Sequence, residues 1–202
     1  MKILLIGSRG TIGKAIAALL SPSHTVIGVN RSSGEPRVDI ADGASVASLF
    51  SHVGMVDAVI CAAGEARFKP FAELTEEDYA FGLRSKLMGQ VNVVREARGW
   101  LGKGGSVTLT SGVLAREPMP GSASISMINA AVEGFAQAAG LELGAATGQR
   151  VNVVSPPWVT ETVHALGLAI ADTLPSATVA KAYRASVEGT MTGQVLDARR
   201  YA

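Results

Sequence analysis

The chain has 202 residues, of which 48% are hydrophobic and 5% aromatic, and its formal net charge at pH 7 is +1. Such a length predicts a single domain over residues 1–202. Lys and Arg are spread along the chain and aromatic residues are few, which argues against a nucleic-acid partner. One cysteine, Cys61, cannot form an internal disulfide and favours a reducing, cytoplasmic location. No apolar run is long enough for a membrane span or a signal peptide, and three scattered histidines predict no metal site.

The first twenty residues combine a strand pattern, a glycine-rich turn and a helix pattern. Residues 3–6 are an apolar run typical of a buried parallel strand, and residues 12–20 have apolar side chains at helical spacing. Between them the glycines stand three apart, which lets backbone N–H groups and the positive end of the helix dipole converge on a phosphate. An ordinary glycine-rich turn is the alternative. The candidate phosphate-binding loop consists of Gly7, Ser8, Arg9, Gly10, Thr11, Ile12 and Gly13.

Along the rest of the chain, predicted strands alternate with predicted helices. Further strands are predicted at residues 25–29, 37–40, 56–61, 106–110, 151–154 and 194–196, and helices at residues 45–53, 75–98, 122–146, 162–171 and 177–187. This alternation requires a parallel sheet covered on both faces, which is a doubly wound α/β fold with three layers (a Rossmann fold) in a single domain. In such sheets, ligands bind beyond the carboxyl ends of the strands.

Six short motifs lie at the ends of these elements or within them. They are Gly7-x-x-Gly10-x-x-Gly13, Cys61-Ala62-Ala63-Gly64, Thr110-Ser111-Gly112 and residues 130–135, 151–156 and 192–194. In this order, and over nearly the whole chain, they resemble landmarks of the short-chain dehydrogenase/reductase family. The resemblance implies a nicotinamide dinucleotide cofactor and hydride transfer between it and a carbonyl or an alcohol. It further implies cofactor contacts from Asp39, Ile40, Ala62, Ala63, Gly64, Pro156 and Val159.

The polar loop after the second predicted strand bears on which dinucleotide binds. An NAD site commonly presents a carboxylate to the ribose 2′-hydroxyl at this position, whereas here Asn30 is followed by Arg31 and Ser32. The Arg31 guanidinium would pair with a 2′-phosphate, and Arg9 in the glycine loop would add a second donor. NADP(H) is therefore favoured over NAD(H). Alternatively, both arginines are only solvated loop charges.

The sequence departs from the family at the catalytic positions. The Tyr-x-x-x-Lys pair of the resembling enzymes aligns with Ile125 and Asn129, which offer neither a phenol proton nor a charge. Ser111 stands in the place of the serine that polarises the carbonyl, and Lys86 in the place of the family's asparagine. We predict that Lys86, Ser111 and Asn129 form the altered catalytic group. The alternative for Lys86 is an ordinary solvent-facing lysine on an amphipathic helix.

These features predict an NADP(H)-linked oxidoreductase whose active site is altered. The family's substrate-binding region corresponds here to a short segment whose residues 164–170 are mainly apolar. This favours a small or apolar carbonyl or alcohol substrate. The alternative function is a catalytically impaired NADP(H)-binding sensor or partner-binding protein. In the family the helices predicted at residues 75–98 and 122–146 pair across a two-fold axis, so a homodimer or homotetramer is expected. Alternatively, both helices pack only on the sheet.

Overall fold

A computed structural model describes residues 1–202 and contains eight strands. They are β1 (Lys2–Ile6), β2 (Thr25–Val29), β3 (Val56–Cys61), β4 (Leu101–Thr110), β5 (Arg150–Ser155), β6 (Trp158–Val159), β7 (Thr173–Leu174) and β8 (Val195–Asp197). Six of them form one parallel sheet in the order β2-β1-β3-β4-β5-β8, while β6 and β7 form a separate two-stranded parallel ladder. The strand order reverses beside β1, which confirms the doubly wound α/β fold.

Seven α-helices connect or flank the strands. They are α1 (Thr11–Leu20), α2 (Gly43–Val53), α3 (Glu76–Gly82), α4 (Gly89–Ala97), α5 (Ala123–Thr147), α6 (Thr160–Leu166) and α7 (Ser176–Glu188). A single π-helical turn at Leu83–Met88 joins α3 to α4. None of the helices is both long and apolar enough to cross a membrane.

Consecutive residues of β1 point into two different hydrophobic cores. Ile3 and Leu5 are fully buried in the core that includes α1 and α7, whereas Leu4 and Ile6 are buried in the core that includes α2, α4 and α5. Side chains alternate across a strand, so a strand covered on both faces has no solvent-facing positions. This explains why the predicted strand at the start of the chain is a continuous apolar run.

Residues 37–40 do not form the strand that the sequence predicted. Only one isolated bridge, from Asn30, connects this stretch to the sheet. Pro36 has no N–H to donate, and the Asp39 carboxylate accepts a local hydrogen bond from the Ala41 N–H at 3.0 Å. The sheet therefore has six strands where seven were expected, and β2 is its edge.

Two predicted helices differ from the structure, whereas the helices predicted at residues 122–146 and 177–187 agree with α5 and α7 to within one residue at each end. The helix expected over residues 75–98 is interrupted by the π-helical turn, which inserts an extra residue. The helix expected over residues 162–171 begins earlier, at Thr160, and ends at Leu166. It stops there because Gly167 adopts a left-handed φ of +64°.

Candidate active site

The turn from β1 into α1 is a tightly packed glycine loop. Gly7 has a left-handed φ of +86°, and a Cβ there would lie 2.5 Å from the carbonyl oxygen of Ala62, just after β3. A Cβ on Gly13 would lie 2.0 Å from the carbonyl oxygen of Gly7. On Gly10 the nearest atom would be 3.4 Å away, so this glycine is not needed for packing. No side chain caps α1, so its first N–H groups are available to a phosphate.

The side chain of Asn30 fastens the glycine loop to the end of β2. Its Oδ1 accepts from the backbone N–H of Arg9 at 2.9 Å, and its Nδ2 donates to Ser8 Oγ at 3.0 Å. Gly28 makes room for this contact, because a Cβ there would lie 2.7 Å from Ser8 Oγ. Asn30 and Ser8 therefore shape the loop through contacts within the protein, in addition to any contact with a ligand.

A cavity of about 340 Å³, here called the polar cavity, opens beyond the carboxyl ends of β1 and β2. Its walls contain most of the residues predicted to bind the cofactor: Gly7, Arg9, Asn30, Arg31, Ser32, Asp39, Ile40, Ala62, Ala63 and Gly64. Glu65 is also a wall residue, and its carboxylate lies 3.7 Å from the Arg31 guanidinium. Both side chains of this pair are mostly exposed, so water weakens the attraction and an anionic ligand can compete for Arg31.

A second cavity of about 290 Å³, here called the apolar cavity, shares Ala62, Ala63 and Gly64 with the polar cavity. The two cavities therefore meet just beyond β3. The apolar cavity is also lined by Ile12, Lys86, Ser111, Ile125, Asn129, Pro156, Trp158 and Val159, among others. All three residues predicted for catalysis thus lie around one space. Of the predicted cofactor residues, Ser8, Gly10, Thr11 and Gly13 line neither cavity and belong to the loop itself.

Lys86 is a buried lysine in the π-helical turn, with 8% of its surface exposed. Its Nζ donates to the main-chain carbonyl oxygen of Ser111 at 3.2 Å. The close approach of this turn to the chain after β3 requires Gly64, because a Cβ there would lie 2.8 Å from Lys86 Cα. Burial lowers the pKa of the Lys86 ammonium from an ordinary value of 10.5 to about 8. The solvent-facing alternative for this lysine is wrong.

Ser111 is buried at the end of β4, but its hydroxyl does not bind Lys86. Ser111 Oγ donates to Glu133 Oε1 at 2.8 Å, and Glu133 Oε2 accepts from Arg116 Nη1 at 3.0 Å. Arg116 also donates to Ser155 Oγ at 3.2 Å. The serine hydroxyl is thus held by a charged network on α5 and must leave Glu133 before it can donate to a substrate in the apolar cavity.

Asn129 presents an unused hydrogen-bond acceptor. Its side chain is 1% exposed, and its Oδ1 has no hydrogen-bond partner in the protein. A Cβ on Gly112 would lie 2.9 Å from Asn129 Nδ2, so the glycine lets the amide approach the end of β4. Because a buried acceptor without a partner is costly, this atom is suited to a ligand hydroxyl or N–H. Ile125, one helical turn earlier, provides only an apolar wall.

No tyrosine lines the apolar cavity, so no phenol replaces the missing proton donor. Tyr183 is fully buried elsewhere, where its hydroxyl lies 2.7 Å from Thr110 Oγ1, and burial raises the pKa of this phenol. The Gln90 side chain bonds both the N–H and the carbonyl oxygen of Thr110, at 2.7 and 2.8 Å. Tyr183 and Gln90 therefore support the end of β4 beneath the cavity and stay out of its chemistry.

Sequence reasoning missed Glu65 in the polar cavity and Glu133 beneath Ser111. Glu133 had a detectable signal, because it stands one helical turn after Asn129 on the buried face of α5. Glu65 had none, since a charged residue after a strand is usually only solvated. No group of three or more His, Cys, Asp or Glu side chains is placed to hold a metal ion.

Comparison with known proteins places this site in a wider context. A family model described as enoyl-(acyl carrier protein) reductase matches residues 28–186. The hydroxynaphthalene reductase-like protein Arp2 of Metarhizium majus is 30% identical over 165 residues, covering 70% of this chain but 62% of that protein. The protein lin1944 from Listeria innocua has a TM-score of 0.92 at 40% identity, covering 98% of each chain. A small-chain dehydrogenase in complex with NADPH has a TM-score of 0.84 at 26% identity, covering 98% of this chain and 95% of that one.

These matches agree with the ordered motifs, the doubly wound sheet and the paired cavities beyond its strand ends. The family model covers more than half of the chain. The chain spans less than two thirds of the length of the reductase-like relative, so that protein's own activity is not transferred with the fold. The chain belongs to the short-chain dehydrogenase/reductase family, whose members are oxidoreductases that bind a nicotinamide cofactor.

Proposed function

We propose that the protein is an NADP(H)-linked oxidoreductase for a small or apolar carbonyl or alcohol, in which Lys86 takes over the proton-holding role of the absent tyrosine. One observation supports this most directly. The only ionisable side chain lining the apolar cavity is a buried lysine without an ion pair, and the cavity adjoins the one that contains Arg9 and Arg31.

The residues present fit a nicotinamide dinucleotide. The uncapped start of α1 and the glycine loop suit the pyrophosphate, and the polar cavity suits the adenosine half. Arg31, with Arg9, would bind the 2′-phosphate that distinguishes NADP(H) from NAD(H). The Oδ1 of Asn129, which has no partner in the protein, would accept a hydrogen bond from a hydroxyl of the nicotinamide ribose. That a related dehydrogenase was solved in complex with NADPH supports the same preference.

Proton transfer is the step that this chain's residues must supply, because the bound nicotinamide supplies the hydride. In the reductive direction the Lys86 ammonium donates a hydrogen bond to the substrate carbonyl oxygen and passes it a proton as the alcohol forms. Its lowered pKa of about 8 suits this role, since a general acid works best when its pKa is near the working pH. In the oxidative direction, neutral Lys86 accepts the proton from the alcohol.

The substrate would lie against the apolar wall formed by Val113, Leu114, Ile125, Trp158 and Val159. A cavity of about 290 Å³ admits a small ring or a short chain and offers no charged group for a substrate carboxylate other than Lys86. A bicyclic aromatic ketone deserves a place in any substrate panel, because one relative is named as a hydroxynaphthalene reductase-like protein.

The test is NADPH oxidation with a panel of apolar aldehydes, ketones and quinones over pH 6 to 10. We expect the reduction rate to fall as the pH rises through about 8, because Lys86 loses its proton. Lys86→Met should lower kcat by about 10²-fold or more and abolish this pH step, whereas Lys103→Met, on the surface, should match the wild type. Turnover that is unchanged in Lys86→Met would contradict the proposal.

A sensor that binds NADP(H) without chemistry is the second candidate, and the Ile125 side chain in the place of the tyrosine favours it. The two candidates differ in a measurable way. Micromolar NADPH binding by titration calorimetry with no turnover on the whole panel would support the sensor. Turnover that depends on Lys86 would exclude it.

We further propose a homodimer or homotetramer whose interface contains the helices around the active site. Met88, in the π-helical turn, is 44% exposed, and Met127, on α5, is 43% exposed. Exposed methionines on neighbouring helices are consistent with a covered surface. Light scattering after gel filtration tests this, and Met127→Glu should shift the population toward the monomer.

A further inference from the structure

Lys86 lacks any compensating acid in its surroundings. Its one hydrogen bond goes to a neutral acceptor, the main-chain carbonyl oxygen of Ser111. The one titratable group that influences the pKa of Lys86 is the Cys61 thiol, whose own pKa burial raises to about 12, so it is uncharged at neutral pH. The Glu133 carboxylate is occupied by Ser111 and Arg116. A lysine that is buried without a carboxylate is the setting in which an amine loses its proton most readily.

The geometry leaves the lysine nitrogen open to an incoming electrophile. With one N–H held by the Ser111 carbonyl oxygen, the remaining positions on Nζ have no partner in the protein. Lys86 lines the apolar cavity, whose walls would hold an uncharged organic molecule beside the amine. Asn129 is among the residues that line the same cavity, and its Oδ1 has no donor in the protein, so this amide is suited to accept a hydrogen bond from a hydroxyl formed there.

We propose that Lys86 is a nucleophile that forms a reversible imine with small apolar aldehydes or ketones held in the apolar cavity. The neutral amine attacks the carbonyl carbon, a C–N bond forms, and one amine proton moves to the oxygen to give a carbinolamine. The carbinolamine then loses its hydroxyl and the second amine proton as water, which leaves the C=N bond. Nothing is oxidised or reduced, so the reaction needs neither a cofactor nor a second substrate.

Two neighbours assist this reaction by position. The Ser111 carbonyl oxygen, 3.2 Å from Nζ, accepts an N–H and so directs the nitrogen lone pair away from itself. Asn129 Oδ1 accepts the hydroxyl of the carbinolamine, which satisfies an atom that otherwise has no partner. This activity goes beyond hydride transfer, because it takes place on the protein without NADP(H).

The experiment traps the imine on the wild-type protein in the absence of any nucleotide. The protein is incubated with a limiting amount of benzaldehyde and sodium cyanoborohydride at pH 7.5, and the benzyl-lysine sites are quantified by peptide mass spectrometry. About a quarter of an amine with a pKa of about 8 is neutral at this pH, against about one part in a thousand at 10.5. The larger neutral fraction of Lys86 speeds its labelling, whereas its lower basicity makes each neutral amine a weaker nucleophile. The first effect is larger, so we expect about tenfold faster labelling of Lys86 than of any other lysine.

The other five lysines are internal controls, since all are at least partly exposed: Lys2, Lys14, Lys69, Lys103 and Lys181. Labelling at position 86 should level off above pH 8, should disappear in Lys86→Met and should persist in Lys103→Met. Glyoxylate, which is charged, should label Lys86 no faster than the exposed lysines, because the cavity wall is apolar. Labelling of Lys86 by benzaldehyde at or below the rate of the exposed lysines overturns the proposal. Such a result leaves NADPH-linked turnover, measured separately, unaffected.

Discussion

Ser111 Oγ lies 2.8 Å from Glu133 Oε1, across 22 residues of sequence, and donates its proton to that carboxylate. The same serine accepts from Lys86 through its main-chain oxygen. Ser111 therefore joins the buried lysine of the π-helical turn to the charged network of α5. Its side chain stabilises the end of β4 in this conformation, and its predicted role as a donor to the substrate requires rotation about χ1.

The Ser111–Glu133 contact predicts an energetic coupling between the two side chains. We expect Ser111→Ala and Glu133→Gln each to lower the free energy of unfolding by about 1–2 kcal/mol. Ser111→Ala leaves Glu133 Oε1 without its donor, and Glu133→Gln removes the charge from that hydrogen bond and places an N–H where Arg116 needs an acceptor. The double variant should lose less than the sum of the two, by about 1 kcal/mol. Urea unfolding of the four proteins measures this. Ser51→Ala, on the exposed side of α2, should instead add to Glu133→Gln without coupling, and full additivity of the first pair would contradict the contact.

The exposed Arg31–Glu65 pair predicts how the protein discriminates between NADPH and NADH. Arg31→Ala should weaken NADPH binding about 10–100-fold, since a charge-assisted hydrogen bond to a phosphate contributes about 1.5–3 kcal/mol, and should leave NADH binding unchanged. Glu65→Gln should strengthen NADPH binding a few-fold, because it frees the guanidinium.

Titration calorimetry of both nucleotides measures these effects. Arg95→Ala, an exposed arginine on α4 outside the polar cavity, is the matched control and should change neither affinity. Equal loss of NADPH and NADH affinity in Arg31→Ala would show that the arginine does not contact the 2′-phosphate.

The fold was predictable because strands that are buried on both faces of the sheet leave apolar runs in the sequence. β1 and β3 are short and mainly apolar, and glycines or polar residues separate them from the next helix. The error at residues 37–40 has a physical reason. Val38 and Ile40 are 3% and 6% exposed, so their apolar character reports real burial in the core beside β2. Hydrophobicity indicates burial, whereas a strand also needs neighbours for its backbone hydrogen bonds.

The sequence predicted most of the residues that line the two cavities, but it did not predict their side-chain contacts. The burial of Lys86 depends on Gly64, 22 positions earlier, and on one extra residue in a helical turn, neither of which leaves a periodic signal. The turn of Ser111 toward Glu133 is a choice of rotamer that only the folded structure fixes. Tertiary contacts determine both features. Local sequence patterns therefore predict which residues lie near the site, but they do not predict the protonation state of Lys86 or the orientation of the Ser111 side chain.

The glycine loop predicts that two neighbouring substitutions separate folding from cofactor binding. Gly13→Ala places a methyl group 2.0 Å from the Gly7 carbonyl oxygen, a contact that the backbone cannot relieve locally, and should destabilise the protein by about 2–3 kcal/mol. Gly10→Ala meets nothing closer than 3.4 Å and should fold normally. It should still weaken nucleotide binding, because the added methyl would crowd a pyrophosphate bound at the start of α1, as proposed above.

Thermal unfolding and NADPH titration of both variants test this separation. Gly102→Ala, where a Cβ meets no atom within 4 Å, controls for the loss of glycine flexibility alone. Normal stability of Gly13→Ala would contradict the packing of the loop. Unchanged NADPH affinity in Gly10→Ala would contradict the placement of the pyrophosphate.

The buried charge of Lys86 predicts that its removal stabilises the protein at neutral pH. Its pKa is about 8 in the folded protein and 10.5 in the unfolded chain, so the unfolded chain binds more protons at this position between these values. The contribution of Lys86 to stability should therefore rise with pH across that window, and below pH 8 the lysine costs up to about 3 kcal/mol. Lys86→Met removes this cost and should be more stable than the wild type at pH 7, with the difference shrinking toward pH 10.

Denaturant unfolding from pH 7 to 10 measures the trend, and Lys103→Met should differ from the wild type by less than about 0.5 kcal/mol throughout. A Lys86→Met protein that is less stable than the wild type at pH 7 would mean that the ammonium is compensated in solution, and the role of Lys86 as an acid with a lowered pKa would then fail with it.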